Sequence, residues 1–222
     1  VTNQNEVIEK AQLLCSQVNL ELILIPFSSF QKDMTNSISS IVGASNTVWS
    51  SGQFASCLRS PVYYYLSALF TDQGERPVVS GTINRSEGSY LGYWGKTSDA
   101  SVDIQVIADL LKSEIYEVAK LLGVPEEIMK ATPQGDVYDG SSDEQLFGVS
   151  YDALELFILN KCWPHVLKAH QYALPDNFDE ISKRIEAMHQ YNAHKYIGPA
   201  FGVWGNHLNI MDAGCPGGWP TQ

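Results

Sequence analysis

The residues RPVVSGTINRSEGSY, 76 to 90, decide the fold of this 222-residue chain. Val78 and Val79 are β-branched, and Ser80-Gly81-Thr82 are small. The run therefore reads as a strand that ends in a small-residue turn. GSYLGYWGKTSDAS, 88 to 101, is glycine-, serine- and aromatic-rich loop. DIQVIADLLKSEIYEVAKLLGV follows, with a helix from about Lys112 to Leu122 that Gly123 and Pro125 end. On the N-terminal side, Val7, Ala11, Leu14 and Val18 predict an amphipathic helix over 5–18. LELILIP, 20 to 26, reads as a short buried strand. Ser28 to Gly43 reads as loop or a weak helix. Residues 54–70 read as helical, with Pro61 opening the regular part. Downstream, PEEIMKAT predicts a short helix and PQGDVYDGSSDEQLFG an acidic, turn-rich loop. SYDALELFILNK and FDEISKRIEAMHQYNAHK predict two further helices. The tail from Ile197 to Gln222 has little periodicity.

Strands separated by helices imply an α/β fold with a parallel sheet. Ligands of such sheets bind beyond the carboxyl ends of the strands. The loop after Thr82 is thus the first place to expect chemistry.

Composition narrows the choices. The chain carries 14 Lys+Arg and 25 Asp+Glu, a net charge of −11, with 44% hydrophobic and 18% charged residues. That describes an ordinary globular chain, expected to form one domain over 1–222. The acidity argues against non-specific nucleic-acid binding and against attraction to anionic lipid. No apolar run approaches the roughly 18 residues of a membrane span. Four scattered cysteines (Cys15, Cys57, Cys162, Cys215) form no CxxC pair. They fit a reducing compartment rather than a disulfide framework. The start, VTNQNEVIEKAQ, lacks the features of a signal peptide. A cytoplasmic location is the expectation, with an organellar one left open because a targeting segment would precede Val1.

Within Gly81 to Gly88, small residues let backbone N–H groups approach an anion. Thr82 offers a hydroxyl, and Glu87 a hard oxygen ligand suited to Mg²⁺. The same pattern also fits a plain strand-to-helix turn with a capping acid. Lys96, Asp99, Asp103 and Lys112 lie close by in sequence. A lysine beginning a helix opposes the dipole by a few tenths to about 1 kcal/mol unless an anion is near. The alternative for Lys112 is a solvated surface lysine.

GTINRSEGSYLGYWGKTSDASVDIQVIADLLKSEIYEVAKLLGVP, then DVYDG, then SSDEQLFGVSYD, then NAHK, together resemble the synthetase domain of NAD synthetase. The resemblance is collinear from about Arg59 to Lys195. It implies a doubly wound parallel sheet with helices on both faces, of the adenine-nucleotide α-hydrolase-like, N-type ATP pyrophosphatase kind. It also implies a homodimer with the pyridine dinucleotide bound across the interface. The implied reaction consumes ATP, deamido-NAD (nicotinic acid adenine dinucleotide) and ammonia. ATP adenylates the carboxylate with release of pyrophosphate. Ammonia then displaces AMP to give NAD. By resemblance, Thr82, Lys112 and Gln134 face ATP and Glu87 is an Mg²⁺ ligand. Arg59, Lys96, Asp103, His194 and Lys195 hold deamido-NAD. No residue is implied as a covalent catalyst. Arg59, Lys96, Lys112 and Lys195 are expected to converge on one cleft.

Two departures stand out. Pro133-Gln134-Gly135-Asp136 replaces the family's P-T-x-D loop, and a glutamine there can bond phosphate or metal-bound water. The family's S-G-G-x-D-S phosphate loop is absent. The expectation is an N-terminally incomplete domain lacking its first strand–loop–helix unit, roughly 30 residues or more. A separate N-terminal fragment is then a possible partner. An inactive relative serving as a structural or regulatory subunit is the alternative, and a ligase acting on another carboxylate a third. No glutaminase segment is present in these residues, so ammonia is the expected nitrogen donor here, with a glutaminase domain on the N-terminal side left open. His165, His170, His189 and His207 lack ligand spacing and read as surface or satisfied core histidines. Tyr63 to Tyr65 read as packing. Asp139 reads as part of a solvated turn, Asp143 and Glu144 as structural or substrate-adjacent, and Cys215 has no base beside it.

Overall fold

The computed structural model describes residues 4–135, 140–171 and 173–196. The chain opens with α1 (Gln4–Gln17), close to the predicted helix. α2 (Ser28–Val42) forms from the serine-rich stretch. Phe30, Met34, Ile38 and Ile41 recur at helical spacing there, and Gly43 ends the helix at φ +71° with its N–H on the Ser39 carbonyl. α3 (Val48–Asp72) starts well before Pro61. Thr47 begins it with a reciprocal cap: its hydroxyl accepts from Ser50 N at 3.1 Å, and Ser50 Oγ accepts from Thr47 N at 2.9 Å. Pro61 therefore lies inside the helix, where it lacks a donor for the preceding turn, rather than opening it.

The parallel pairing expected from the sequence is present but short. β1 (Ser80–Gly81) pairs with β2 (Ile104–Gln105) in parallel, Ser80 opposite Ile104 and Gly81 opposite Gln105. Side chains of the second strand extend the pairing of the first. Asp103 Oδ2 accepts from Val79 N at 2.9 Å, and Gln105 Oε1 from Ile83 N at 3.1 Å. LELILIP forms no regular element and pairs with no strand among the described residues. Leu20 is 66% exposed and Ile23 51%, which corrects the expectation of a buried strand. A strand buries both faces only between paired neighbours, and no described strand pairs with this run.

After β1 comes a six-residue π-helical turn, Arg85–Tyr90. Then follow α4 (Lys112–Leu121), α5 (Glu126–Met129), α6 (Asp143–Phe147) and α7 (Tyr151–Cys162). α8 (Pro164–His170) is a short helix that the periodicity does not announce. α9 (Phe178–Asn192) runs into a 3₁₀ turn, Ala193–Lys195. α6 lies inside the stretch expected to be loop. Its start is fixed by Ser142, whose Oγ accepts from Gln145 N, and its end by Gly148 at φ +65°.

The core gathers Leu91, Leu111, Phe147, Tyr151, Leu154, Phe157, Ile158 and Ile185. α7 is its centre, packed against α8, α9, α4 and the π-turn. The best-packed part of the molecule thus lies directly behind the loop that the sequence marks for chemistry.

Candidate active site

A cavity of about 480 Å³ opens beyond the carboxyl end of β1. Arg59 comes from α3, Thr82 and Glu87 follow β1, and Lys96 lies in the aromatic loop. Gln134 precedes α6, and His194 and Lys195 lie in the last turn. All seven line this one cavity. They come from segments up to 136 positions apart in sequence, Arg59 to Lys195.

Glu87 sits at the floor. Asn84 caps the π-turn, its side-chain oxygen accepting from Glu87 N at 3.0 Å. The same asparagine, only 2% exposed, donates its amide to Glu87 Oε1. Glu87 Oε2 accepts from the Tyr151 hydroxyl. That hydroxyl also lies 3.0 Å from Asp143 Oδ2. Burial first, and then the carboxylates of Glu87 and Asp143, push the Tyr151 phenol far above its ordinary value. The Tyr151 side chain is therefore a donor at any working pH.

Lys112 does not line the main cavity. It lines an adjacent one of about 500 Å³, with which Gln134 is shared. Its ammonium is nevertheless 3.7 Å from Glu87 Oε1 and 5.0 Å from the centre of the Tyr151 ring. The N-terminus of α4 is already occupied by protein acceptors. Leu111 N donates to Glu114 Oε2 (2.7 Å), Lys112 N to Ser86 Oγ (2.9 Å), and Ser113 N to Glu155 Oε1 (3.0 Å). Two of these are carboxylates, which offset the unfavourable lysine at this helix end.

The opposite wall is aromatic and cationic. Lys195 donates to the Gly92 carbonyl at 2.7 Å and lies 5.8 Å from the Trp94 ring centre. Burial lowers its pKa below the ordinary lysine value, a shift that Asp99 partly offsets. Trp94 Nε1 donates to the Gly88 carbonyl at 3.2 Å and the Tyr196 hydroxyl to the Tyr90 carbonyl at 2.7 Å, tying this wall to the π-turn. Arg59 donates to Ser56 Oγ at 3.0 Å and approaches Asp99 at 3.8 Å. Lys96 is exposed and makes no hydrogen bond or ion pair among the described residues. Three of the four expected cations, Arg59, Lys96 and Lys195, line the cavity while Lys112 lines the adjacent one, and three carboxylates, Glu87, Asp99 and Asp143, stand among them. Each of the three is engaged by a protein donor.

Asp103 is the one predicted site residue kept away from this arrangement. It lines neither of these two cavities, and its oxygens take Val79 N and the Tyr64 hydroxyl (3.3 Å). Gln134 reaches the wall through an antiparallel bridge to Ser142, with Asp143 N on the Pro133 carbonyl at 3.0 Å. Asp143 is 6% exposed and faces the cavity, while Glu144 accepts from Tyr151 N at 2.8 Å. One member of that pair is at the site and the other is structural. His189 is a satisfied core histidine: Nδ1 is 2.6 Å from the Tyr90 carbonyl, and its ring stacks on Tyr90. Asp139, His207 and Cys215 lie outside the described residues.

Sequence reading missed two residues of this region, Tyr151 and Glu155. A signal existed. They are four apart on one face of α7, and Glu155 is an acid embedded in the apolar run Leu154 to Leu159.

The donor set also bears on a metal ion. No group of three His, Cys, Asp or Glu side chains that could hold one occurs among the described residues. Glu87 supplies a hard oxygen to the cavity, with the Asp143 carboxylate close by on the same tyrosine hydroxyl. A single carboxylate completed by substrate phosphates is a usual arrangement for Mg²⁺, so the residues fit that ion with a phosphate ligand.

The sequence matches the NAD synthase family over residues 1–199. It is 35% identical over 144 residues to an NH(3)-dependent NAD(+) synthetase of Syntrophomonas wolfei, covering 65% of this chain and 50% of that protein. The chain spans about half the length of the curated relatives it matches. A solved structure of NH3-dependent NAD synthetase from Campylobacter jejuni aligns with a TM-score of 0.64 and 25% identity, over 88% of this chain and 72% of that one. NMN synthetase from Francisella tularensis aligns with a TM-score of 0.71 over 91% of this chain and 75% of that one; at 24% identity it speaks to the fold. The β1 loop and the cavity it opens on sit within a sequence match that runs through all the described residues: the chain belongs to the NAD synthase family.

Proposed function

We propose that this chain carries the synthetase site of an NH3-dependent NAD(+) synthetase, which amidates deamido-NAD with ATP and ammonia. The observation that carries the reading is the convergence of Arg59, Thr82, Glu87, Lys96, Gln134, His194 and Lys195 on one cavity. A carboxylate is a poor electrophile because its charge repels nucleophiles. Its oxygen attacks the α-phosphorus of ATP, pyrophosphate leaves, and the mixed anhydride becomes open to ammonia. Loss of AMP then leaves the amide.

Such phosphorus chemistry is mostly positioning and charge neutralisation. Lys112 and Thr82 meet the ATP phosphates in this reading. Arg59, Lys96, His194 and Lys195 hold the dinucleotide, and Asp103 orients that wall from outside the cavity by tying Val79. Glu87 would hold Mg²⁺, which when bound neutralises charge on the phosphates. The aromatic wall of Tyr93 and Trp94 excludes water from the reacting carboxylate. Residues 1–222 belong to one synthetase domain that lacks its first strand–loop–helix unit, and the protein works in the cytoplasm as a homodimer with its site at the interface. Apolar side chains such as Trp49 (67% exposed) and Ile41 (83%) give a partner copy surface to cover.

The test is to incubate the full-length protein with ATP, Mg²⁺, deamido-NAD and ammonium. NAD, AMP and pyrophosphate in equal amounts are expected. ADP and phosphate in their place, or no product from correctly folded protein, would refute the reading.

A further inference from the structure

One buried carboxylate, Glu155, takes no part in the proposed chemistry. Glu155 is 7% exposed and has no cation within ion-pair distance among the described residues. Its charge is balanced by donors instead. Oε1 accepts from Ser86 Oγ (2.9 Å) and Ser113 N (3.0 Å), and Oε2 from Ser113 Oγ (2.6 Å). Ser86 is fully buried, and its oxygen accepts from Lys112 N at 2.9 Å. These bonds bridge 42 and 69 positions of sequence.

The two elements so joined are the ones that carry the phosphate-facing pair. Ser86 immediately precedes Glu87 in the π-turn, and Ser113 immediately follows Lys112 at the start of α4. One turn earlier on the same face of α7, the Tyr151 hydroxyl reaches the Glu87 side chain. A single helix face thus holds Glu87 by its side chain and, through Glu155, the Ser86 side chain of the π-turn and the first turn of α4.

We propose that Glu155 is a positioning residue for ATP: its carboxylate sets the spacing of Glu87 and Lys112, and so the geometry offered to the phosphates. The proposal rests on the functional reading above and extends it to a residue that touches no substrate. A carboxylate is suited to the task because it accepts three bonds from two elements at once. Glutamine has the same shape. Its oxygen can keep Ser86 and Ser113 N, while its amide donates to a turned Ser113 hydroxyl. Alanine removes all three bonds.

The experiment compares wild type, Glu155→Gln, Glu155→Ala and Ser86→Ala in the full-length protein. Steady-state kinetics are taken separately against ATP and deamido-NAD, with ATP·Mg²⁺ binding by calorimetry. Displacing positioned groups by even an ångström costs on the order of tenfold or more. Glu155→Ala is expected to weaken ATP·Mg²⁺ binding and raise KM for ATP by about tenfold or more on that ground. KM for deamido-NAD should stay within about twofold, and Glu155→Gln should restore most of the ATP affinity. Ser86→Ala breaks only the link between the turn and α4, and keeps the proposal testable if Glu155→Ala does not fold. It should show the same selective defect in smaller measure. Equal change in both KM values, or unchanged ATP binding in a folded Glu155→Ala or Ser86→Ala variant, overturns the proposal. If wild type binds ATP but forms no NAD, the functional reading fails while the calorimetric comparison still decides this one.

Discussion

Replacing Tyr151 by phenylalanine isolates one oxygen atom at the heart of the site. The ring stays, and with it the edge contact to Phe147 at 6.0 Å and the face that Lys112 approaches at 5.0 Å. What goes is the hydroxyl between Glu87 and Asp143. Two carboxylates contact that oxygen, yet a hydroxyl has one proton and satisfies one of them at a time. The loss therefore amounts to one charge-assisted bond, not two. Such a bond contributes about 1.5–3 kcal/mol net. Glu87 retains Asn84 and Lys112, so the carboxylate is not stranded, which places the cost toward the lower half of that range. Urea denaturation of wild type and Tyr151→Phe should show a midpoint shift equivalent to about 2 kcal/mol at unchanged slope. Turnover should fall as well, because Glu87 loses the bond that orients its second oxygen. A variant within about 0.5 kcal/mol of wild type, the range of an ordinary surface change, and with normal turnover would refute the view that Tyr151 holds Glu87.

Glu87→Gln should lower turnover at saturating ATP on the order of a hundredfold, as loss of a transition-state charge partner does; near-normal turnover would show that Glu87 holds no metal. Lys195 loses its proton below the ordinary 10.5 because it is buried. KM for deamido-NAD should therefore climb in that alkaline range, and Lys195→Met should start high and stay flat; a pH-independent wild-type KM contradicts this. Burial, with Tyr90 beside it, pushes Tyr196 from 10.0 up to about 12. The unfolded phenol ionises first, so stability present below pH 10 is lost as pH rises toward about 12, and Tyr196→Phe should lose less there. Parallel stability curves would count against it. Gly148→Ala meets both a φ of +65° and the Arg184 guanidinium 2.1 Å from the new Cβ. It should cost about 1–2 kcal/mol in thermal or chemical denaturation; an unchanged midpoint would show that the turn adapts.

Much of the local structure was legible because its causes are local. Gly123 and Pro125 end α4 where the sequence places them, and α1, α7 and α9 follow their apolar spacing. The misses have physical reasons too. Pro61 looks like a helix start, but the Thr47–Ser50 cap had already begun the helix. LELILIP has strand chemistry, yet pairing is a property of neighbours, and it has none among the described residues. The acidic loop hides α6 because one capping serine and one left-handed glycine bound so short a helix.

The site divides along the same line. The residue types and their order, from Gly81-Thr82 through Lys96 to His194-Lys195, already announced the family, because motifs are runs of neighbours in sequence. Distance through space is another matter. Folding brought seven of nine expected residues to one cavity, held Lys112 at its edge by Glu87, and turned Asp103 away to complete a strand. It also introduced Tyr151 and Glu155 as the supports behind Glu87 and Lys112. No spacing rule reaches across 69 positions, so hydrogen bonds of that span exist only once the core around α7 has packed.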